Sequence, residues 1–385
     1  MISTPKMSHI TSGFVAVLVG YTSSVAIIFQ AATASGADSS QISSCLWALG
    51  IGMGVTSFGL SLYYKTPILT AWSTPGAALL ATGLIGTSIE EAIGLFIVCS
   101  ALITLCGVMG LVEKIMSFVP SSLASAMLAG VLFPFATSGF GALNTHTLLV
   151  GSMITAFFIM KRIVPTYAVP AVLVVGITIA SLQHLITYDH VSLILSTPVW
   201  TTPTFSLTSI IGIGIPLFIV TMASQNVPGL AVLRSHGYNT SSSPLISWTG
   251  ITGLVLAPFG GFAFNLAAIT AAICMGEEAD KNKKTRYFAS MWAGVFYIFM
   301  GLFSATVVSL FASFPQALIF AIAGLALLST IGNSLYQALN QQLERDAALT
   351  TFIITASGLS LYGIGSAFWG LIIGLCVYHF YQKNT

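Results

Sequence analysis

Charge is what this chain has least of. Of its 385 residues, 12 are Lys or Arg and 10 are Asp or Glu, so only 6% are charged. A water-soluble domain of that length could not cover its surface with so few. Cysteine is scarce as well. Cys45, Cys99, Cys106, Cys274 and Cys376 all lie in hydrophobic stretches and share no CxxC spacing. Neither a disulfide framework nor a metal site is expected, and no cofactor is. The net charge of +2 carries no nucleic-acid signal, because Lys281 to Arg286 is the only cationic cluster. An extramembrane domain has no room either. At roughly 20 residues per span, about 14 spans consume roughly 280 residues and leave roughly 105 for loops and tails.

What is present is apolar surface. The chain is 56% hydrophobic with a mean hydropathy of +0.94. The first apolar run, from Gly13, is long enough to span and lacks a clear small-residue cleavage site, so it reads as a span rather than a signal peptide. With about 14 spans and a cytoplasmic N-terminus, every cation falls in a cytoplasmic loop or tail. These are Lys6, Lys65, Lys114, Lys161, Arg162, Arg234, Lys281, Lys283, Lys284, Arg286, Arg345 and Lys383. Cytoplasmic excess of Lys and Arg orients a polytopic protein. A wrong span count would scatter these residues over both faces. The expectation is a multi-pass protein of the inner (plasma) membrane with both termini cytoplasmic and the lipid bilayer as its solvent.

The chain also resembles itself. An offset of 201 positions (214 − 13) superposes Gly13 on Gly214, Val19 on Val220, Gly36 on Gly237, Ser40 on Ser241 and Trp47 on Trp248. The first turn, Gly36-Ala-Asp-Ser-Ser, has no cation beside it, whereas Gly237-Tyr-Asn-Thr-Ser follows Arg234. The same motif therefore sits on opposite sides of the membrane, which requires an odd number of spans per repeat. Two repeats of seven fit. Inverted repeats place a transporter's site near the bilayer midplane.

Two spans are interrupted in corresponding places. In the third, Pro67 and Pro75 bracket an extended stretch, and Ser73 or Thr74 before Pro75 makes a helix start: a hydroxyl cap, then proline in the first turn. In the tenth, Phe262 and Phe264 alternate after Pro258, and Asn265 reads as the cap of a second half-helix. Non-helical backbone at mid-bilayer needs partners, so the two extended pieces should pair or line a wet cavity. Both half-helices would direct positive ends and free N–H groups to one place.

The remaining inventory favours an anion there. The ten acids (Asp38, Glu90, Glu91, Glu113, Asp189, Glu277, Glu278, Asp280, Glu344 and Asp346) all map to span ends or loops. None of the histidines (His9, His146, His184, His190, His236, His379) falls at a span centre. A cation site would want the reverse. Polar candidates are Tyr21 and Ser24 on the first span and Gln225 and Asn226 on the eighth, with Ser24 over Gln225 in the repeat alignment. Thr70, Ser73 and Thr74 lie on the broken third span. Trp72, Phe262 and Phe264 could flank an aromatic ligand, although packing explains single aromatics equally well. Gly50, Gly52 and Gly54 need no phosphate: small residues let helices approach.

Three segments resemble one family. Thr221-Met-Ala-Ser-Gln-Asn-Val-Pro-Gly-Leu-Ala-Val-Leu-Arg looks like the eighth-span motif of the benzoate/proton symporter (BenE) family. Gly260-Gly-Phe-Ala-Phe-Asn-Leu-Ala-Ala is similar to its tenth-span region, and Thr70-Ala-Trp-Ser-Thr-Pro-Gly-Ala-Ala to its third. The resemblance covers essentially the whole chain. It implies a uracil-transporter-like architecture, shared with nucleobase and sulfate transporters. Residues 10–112 and 207–312 (spans 1–4 and 8–11) would form a core domain. Residues 113–206 and 313–385 (spans 5–7 and 12–14) would form a gate domain, with Gly130 and Gly324 allowing close contact there. The substrate would sit between the half-helices of spans 3 and 10, received at Thr74 and Asn265. The implied substrate is a small aromatic carboxylate, benzoate, carried with a proton. One feature departs from the related nucleobase carriers. They place glutamates at the substrate, where this chain has Gln225, Asn226 and Asn265.

The expectation is thus an all-α polytopic membrane protein with short strands in segments 3 and 10. It would be a secondary carrier working by alternating access, and a homodimer is compatible with it. An enzyme would need buried His, Asp, Glu or Cys in working clusters, and none appears at mid-depth. A channel of the same fold, and a carrier of another anion or a nucleobase, share these sequence features.

Overall fold

The computed structural model describes residues 5–112, 120–186, 193–362 and 364–382. Lys114, Lys383, Glu113, Asp189 and His190, and the expected domain boundary at 113, lie outside the described residues. The first half contains α1 (Met7–Ala34), α2 (Ser39–Tyr64), β1 (Thr70–Trp72), α3 (Thr74–Gly83) and α4 (Ile89–Val108). Next come α5 (Ser121–Gly141), α6 (Thr147–Ile163) and α7 (Ala168–Leu182). The second half contains α8 (Leu207–Ser235), α9 (Ser242–Leu256), β2 (Phe264–Leu266), α10 (Ile269–Met275), α11 (Tyr287–Leu302) and α12 (Ser304–Ser313). It ends with α13 (Gln316–Leu339), α14 (Arg345–Ala356) and α15 (Ser366–Gln382). Among the described residues, 7 helices are long and apolar enough to cross a membrane, or up to 8 if the α11–α12 pair, bent by 63°, counts as one span.

Local chemistry sets the boundaries. Asp38 caps α2, its carboxylate accepting from the backbone N–H groups of Ser40 and Gln41 while the Gln41 side chain returns to the Asp38 N–H. This reciprocal box satisfies donors that a helix start leaves open. Lys65 ends the same helix in the left-handed region at φ 53°. Ser88 caps α4.

Helix packing rests on small residues. Helix α2 packs along α11, α4 along α9, and α5 along both α13 and α14. Gly50 lies against Gly301, and Gly54 against Gly294 and Ile298. Gly324 meets the α5 backbone at Phe135 and Gly139, while Gly130 meets Thr355 of α14. In lipid there is no hydrophobic drive between apolar helices, so close backbone approach does the work.

Helix α8 is irregular. Two π turns, Ile210–Gly214 and Met222–Asn226, interrupt it. Each is followed within two residues by a proline, Pro216 or Pro228, that has no N–H to offer the preceding turn. Wide turns of this kind recur at functional sites.

Candidate functional site at the crossing of two short strands

The two extended pieces pair. β1 runs antiparallel to β2, with Thr70 opposite Leu266, Ala71 opposite Asn265 and Trp72 opposite Phe264. A further bond from Ala267 N–H to Leu69 O, 2.9 Å, prolongs the ladder. The outer edges of this ribbon are satisfied by side chains. On the β1 side, Met53, Thr56, Ser57 and Ser61 form one face of α2. Thr70 Oγ1 lies 2.6 Å from Thr56 Oγ1 and donates to Met53 O at 3.0 Å, while Thr70 N–H donates to Ser57 Oγ at 3.0 Å. Ser61 Oγ accepts from Ile68 N–H and donates to Ile68 O. On the β2 side, Asn226 Oδ1 accepts the Leu266 N–H at 3.0 Å, and Asn226 Nδ2 donates to Met222 Sδ at 3.2 Å. Away from water, an unpaired backbone group costs several kcal/mol, so these side chains are what allow strands at this depth.

From the ribbon two helices start. Ser73 caps α3, its Oγ accepting from Gly76 N–H at 3.0 Å, with Pro75 in the first turn. Pro75 has no N–H, so Thr74 holds the first-turn N–H without an intrahelical acceptor. The second start corrects the sequence expectation. Asn265 is not a cap: it sits inside β2, and α10 begins at Ile269 after Ala268, with no side-chain cap. Asn265 Nδ2 instead donates to Ala263 O at 3.0 Å, steadying a residue at φ 46°. Its Oδ1 is buried without a hydrogen-bond partner among the described residues.

A cavity of about 360 Å³ lies where these starts meet α1, α5, α8, α11 and α13. Of the sequence-predicted residues, Ser24, Trp72, Thr74 and Gln225 line it. Trp72 Nε1 donates to Ser24 Oγ at 2.7 Å, and Ser24 in turn donates to Gly20 O at 2.7 Å, which fixes the indole as a wall. Tyr21 stands behind that wall, its ring centre 5.1 Å from that of Trp72; its buried hydroxyl has no partner among the described residues. Thr70, Ser73 and Asn226 are fully buried, Thr70 and Asn226 engaged in the ribbon and Ser73 in the cap of α3. Phe262 packs on Phe96 with ring centres 5.1 Å apart, and Phe264 fills a notch left by Gly52. Neither phenylalanine lines the cavity, because both are packed behind the ribbon.

Several lining residues had no sequence signal strong enough to single them out. Gly20, Ser23, Ser224, Thr270 and Tyr297 complete the wall, with Ala326, Leu327, Ser329 and Thr330 of α13 opposite. A Cβ at Gly20 would stand 3.2 Å from Tyr297 Oη and 3.3 Å from Thr270 Cγ2. No Asp, Glu, His, Lys or Arg is among the lining residues. Asp280, read from sequence as a span-end acid, is buried outside the cavity. Its carboxylate takes Lys6 Nζ at 2.9 Å, His9 Nε2 at 3.1 Å and Thr285 Oγ1 at 2.8 Å. Burial opposes the Asp280 charge, but hydrogen bonds from Lys6, Asn282 and Thr285 and the Lys6 charge outweigh it and hold its pKa well below the usual range. Arg286 closes the same loop, donating to Asp280 O and to Met275 O at the end of α10.

A sequence profile described as "Benzoate membrane transport protein" matches residues 3–380. The chain belongs to that BenE family. It is a family of membrane transporters rather than enzymes. The chain is 50% identical over 363 residues to the inner membrane protein YdcO of Escherichia coli, covering 94% of this chain and 93% of the relative. It is 36% identical over 378 residues to a benzoate membrane transport protein of Acinetobacter baylyi, covering 98% and 96%. Among solved structures, the transmembrane domain of the cyanobacterial bicarbonate transporter BicA superposes with a TM-score of 0.65 at 13% identity, covering 96% of this chain and 97% of that one. SLC26A9 gives 0.62 at 14% identity, covering 97% and 65%. At such identities the likeness is one of fold. This BenE chain is therefore a mostly helical, multi-pass membrane protein with a BicA- and SLC26-like arrangement.

Proposed function

We propose that the chain carries a small aromatic carboxylate, benzoate or a close relative, across the inner membrane by alternating access. The observation that carries this reading is the cavity itself. Two helix starts open onto it, a fixed indole walls it, and no acidic side chain among the described residues lines it. Helix N-termini receive anions through free N–H groups and their dipole. The volume is in the range of small-molecule sites. Thr74 and the start of α10 take the carboxylate, Gln225 and Ser23 add hydrogen bonds, and Trp72 and Tyr297 flank the ring.

The architecture behind this is a 7+7 inverted repeat of about 14 segments with both termini cytoplasmic. Residues 10–112 and 207–312 act as the core that carries the ligand. Residues 113–206 and 313–385 act as the gate against which it moves. The proton crosses on the substrate carboxyl group or along water, since no Asp, Glu or His among the described residues lines the cavity. Labelled benzoate uptake into proteoliposomes, with and without an imposed pH gradient, tests both parts. Saturable uptake with counterflow, driven by an acid exterior, is expected. Counterflow with no response to the gradient removes the proton. Equal competition by nucleobases or inorganic anions removes the aromatic carboxylate. The mass of the purified particle tests the homodimer.

A further inference from the structure

We propose that Lys161 gathers the anionic substrate at the mouth of the cavity and gives that mouth its preference for carboxylates. The inference rests on reading the cavity as a carboxylate site. Ser329 both lines the cavity and is exposed, so it marks where the cavity opens. Lys161, in the last turn of α6, donates from Nζ to Ser329 Oγ at 3.0 Å. The same ammonium lies 5.4 Å from the ring centre of Phe157, which is buried. The charged head is thus held between an aromatic face and Ser329, at the mouth.

The head has capacity left over. An ammonium has three donors, Ser329 uses one, and Lys161 is exposed. Among the described residues, Lys161 is in neither of the ion pairs formed at Asp280. No charged residue among those described lines the cavity beyond it. An uncompensated cation at the rim of an apolar, acid-free cavity raises the local concentration of anions and repels cations. Salt screens that effect. The helix starts at Thr74 and Ile269 then take the carboxylate deeper in, where no side-chain charge competes. Lys161 and Ser329 both lie on the proposed gate, so the ammonium stays at the rim while the core moves. That separation lets the residue affect capture without holding the ligand through the cycle. A cation at a helix end also helps orient the chain. That role would not require the bond to Ser329 and would not touch substrate kinetics.

Lys161→Gln, Lys161→Glu and Lys161→Arg in proteoliposomes separate the two roles. Labelled benzoate counterflow is measured at low and high salt from the cytoplasmic face, where the proposed orientation puts Lys161, in vesicles whose orientation is set and checked by accessibility labelling. In Lys161→Gln, KM should rise roughly three- to ten-fold with kcat kept. Lys161→Glu should raise it further, and Lys161→Arg should stay near the wild type. Wild-type KM should rise with salt, and that of Lys161→Gln should not. Unchanged KM and salt dependence in Lys161→Gln, equal losses in the Arg and Gln variants, or a changed orientation would each overturn the proposal. A wild type that transports no aromatic carboxylate removes the reading of the cavity, and this inference with it. A transporting wild type beside an unaltered Lys161→Gln removes the inference alone.

Discussion

The side-chain oxygen of Asn226 accepts the backbone N–H of Leu266 at 3.0 Å, joining the wide turn of α8 to the edge of β2. Asn226 is fully buried, and its amide also donates to Met222 Sδ. This amide therefore completes the ribbon rather than facing the cavity. Asn226→Ala leaves a buried N–H orphaned, at a cost of about 1–3 kcal/mol. Thermal unfolding in detergent should show a clear fall in Tm, with loss of uptake following from instability.

Gln225→Ala should behave in the opposite way. Gln225 is only partly buried and lines the cavity. Tm should stay within a degree or two of the wild type (a surface-like change of about 0.5 kcal/mol at most), while ligand-dependent stabilisation by benzoate is lost. Two adjacent amides would then separate folding from binding. Retained benzoate stabilisation in Gln225→Ala would move the site elsewhere.

Ser24→Ala removes the acceptor of the Trp72 indole N–H, which lies 2.7 Å away. The indole is 4% exposed, so its donor would find no water. The expected loss is about 1–2 kcal/mol of stability, with weaker ligand binding because the wall is free to rotate. Trp72→Phe removes the donor as well, and in a Ser24→Ala background should add less than it does alone. Thermal shift with and without benzoate checks both, and strict additivity would deny the coupling.

Asp280 sets an acid limit. Its pKa is held low by Lys6, Asn282 and Thr285 against the opposing effect of burial. A carboxyl depressed in the folded state contributes stability that is fully present above its unfolded value, near 4, and is lost as pH falls through the folded value. The detergent-solubilised protein should therefore lose Tm steeply below about pH 4. Asp280→Asn should be less stable at neutral pH and flatter in acid, and parallel acid profiles for the two proteins would contradict this.

Local signals in the chain were legible and long-range ones were not. Ser73-Thr74-Pro75-Gly76 announces a helix start by itself, because a hydroxyl cap and a first-turn proline act within four residues. The family resemblance of the third, eighth and tenth segments holds along the chain. Asn265 misled because an amide before a helix and an amide within a strand look alike in sequence. Only Asn226 and Leu69, distant along the chain, reveal that the residues up to Ala267 are extended. Phe264 lies in the extended piece, but Phe262 precedes it across Ala263 at φ 46°, outside β2; alternation also does not say which faces are covered, and both rings are buried. Ser329 and Thr330 gave no sign, since a hydroxyl in an apolar helix usually bonds its own backbone. Lys161 in sequence is an orientation signal alone, because its partner Ser329 is 168 residues away along the chain.

The ribbon between Thr70–Trp72 and Phe264–Leu266 has a consequence for biogenesis. Its strands are nearly two hundred residues apart (266 − 70 = 196), so β1 leaves the ribosome long before its mate exists. Until then the third segment depends on α2 hydroxyls for its polar backbone, with one edge bare in the translocon or the bilayer. The segment can settle only after the tenth has been synthesised and inserted. A fragment ending before β2 should remain a substrate for membrane quality control, however well its earlier helices are inserted.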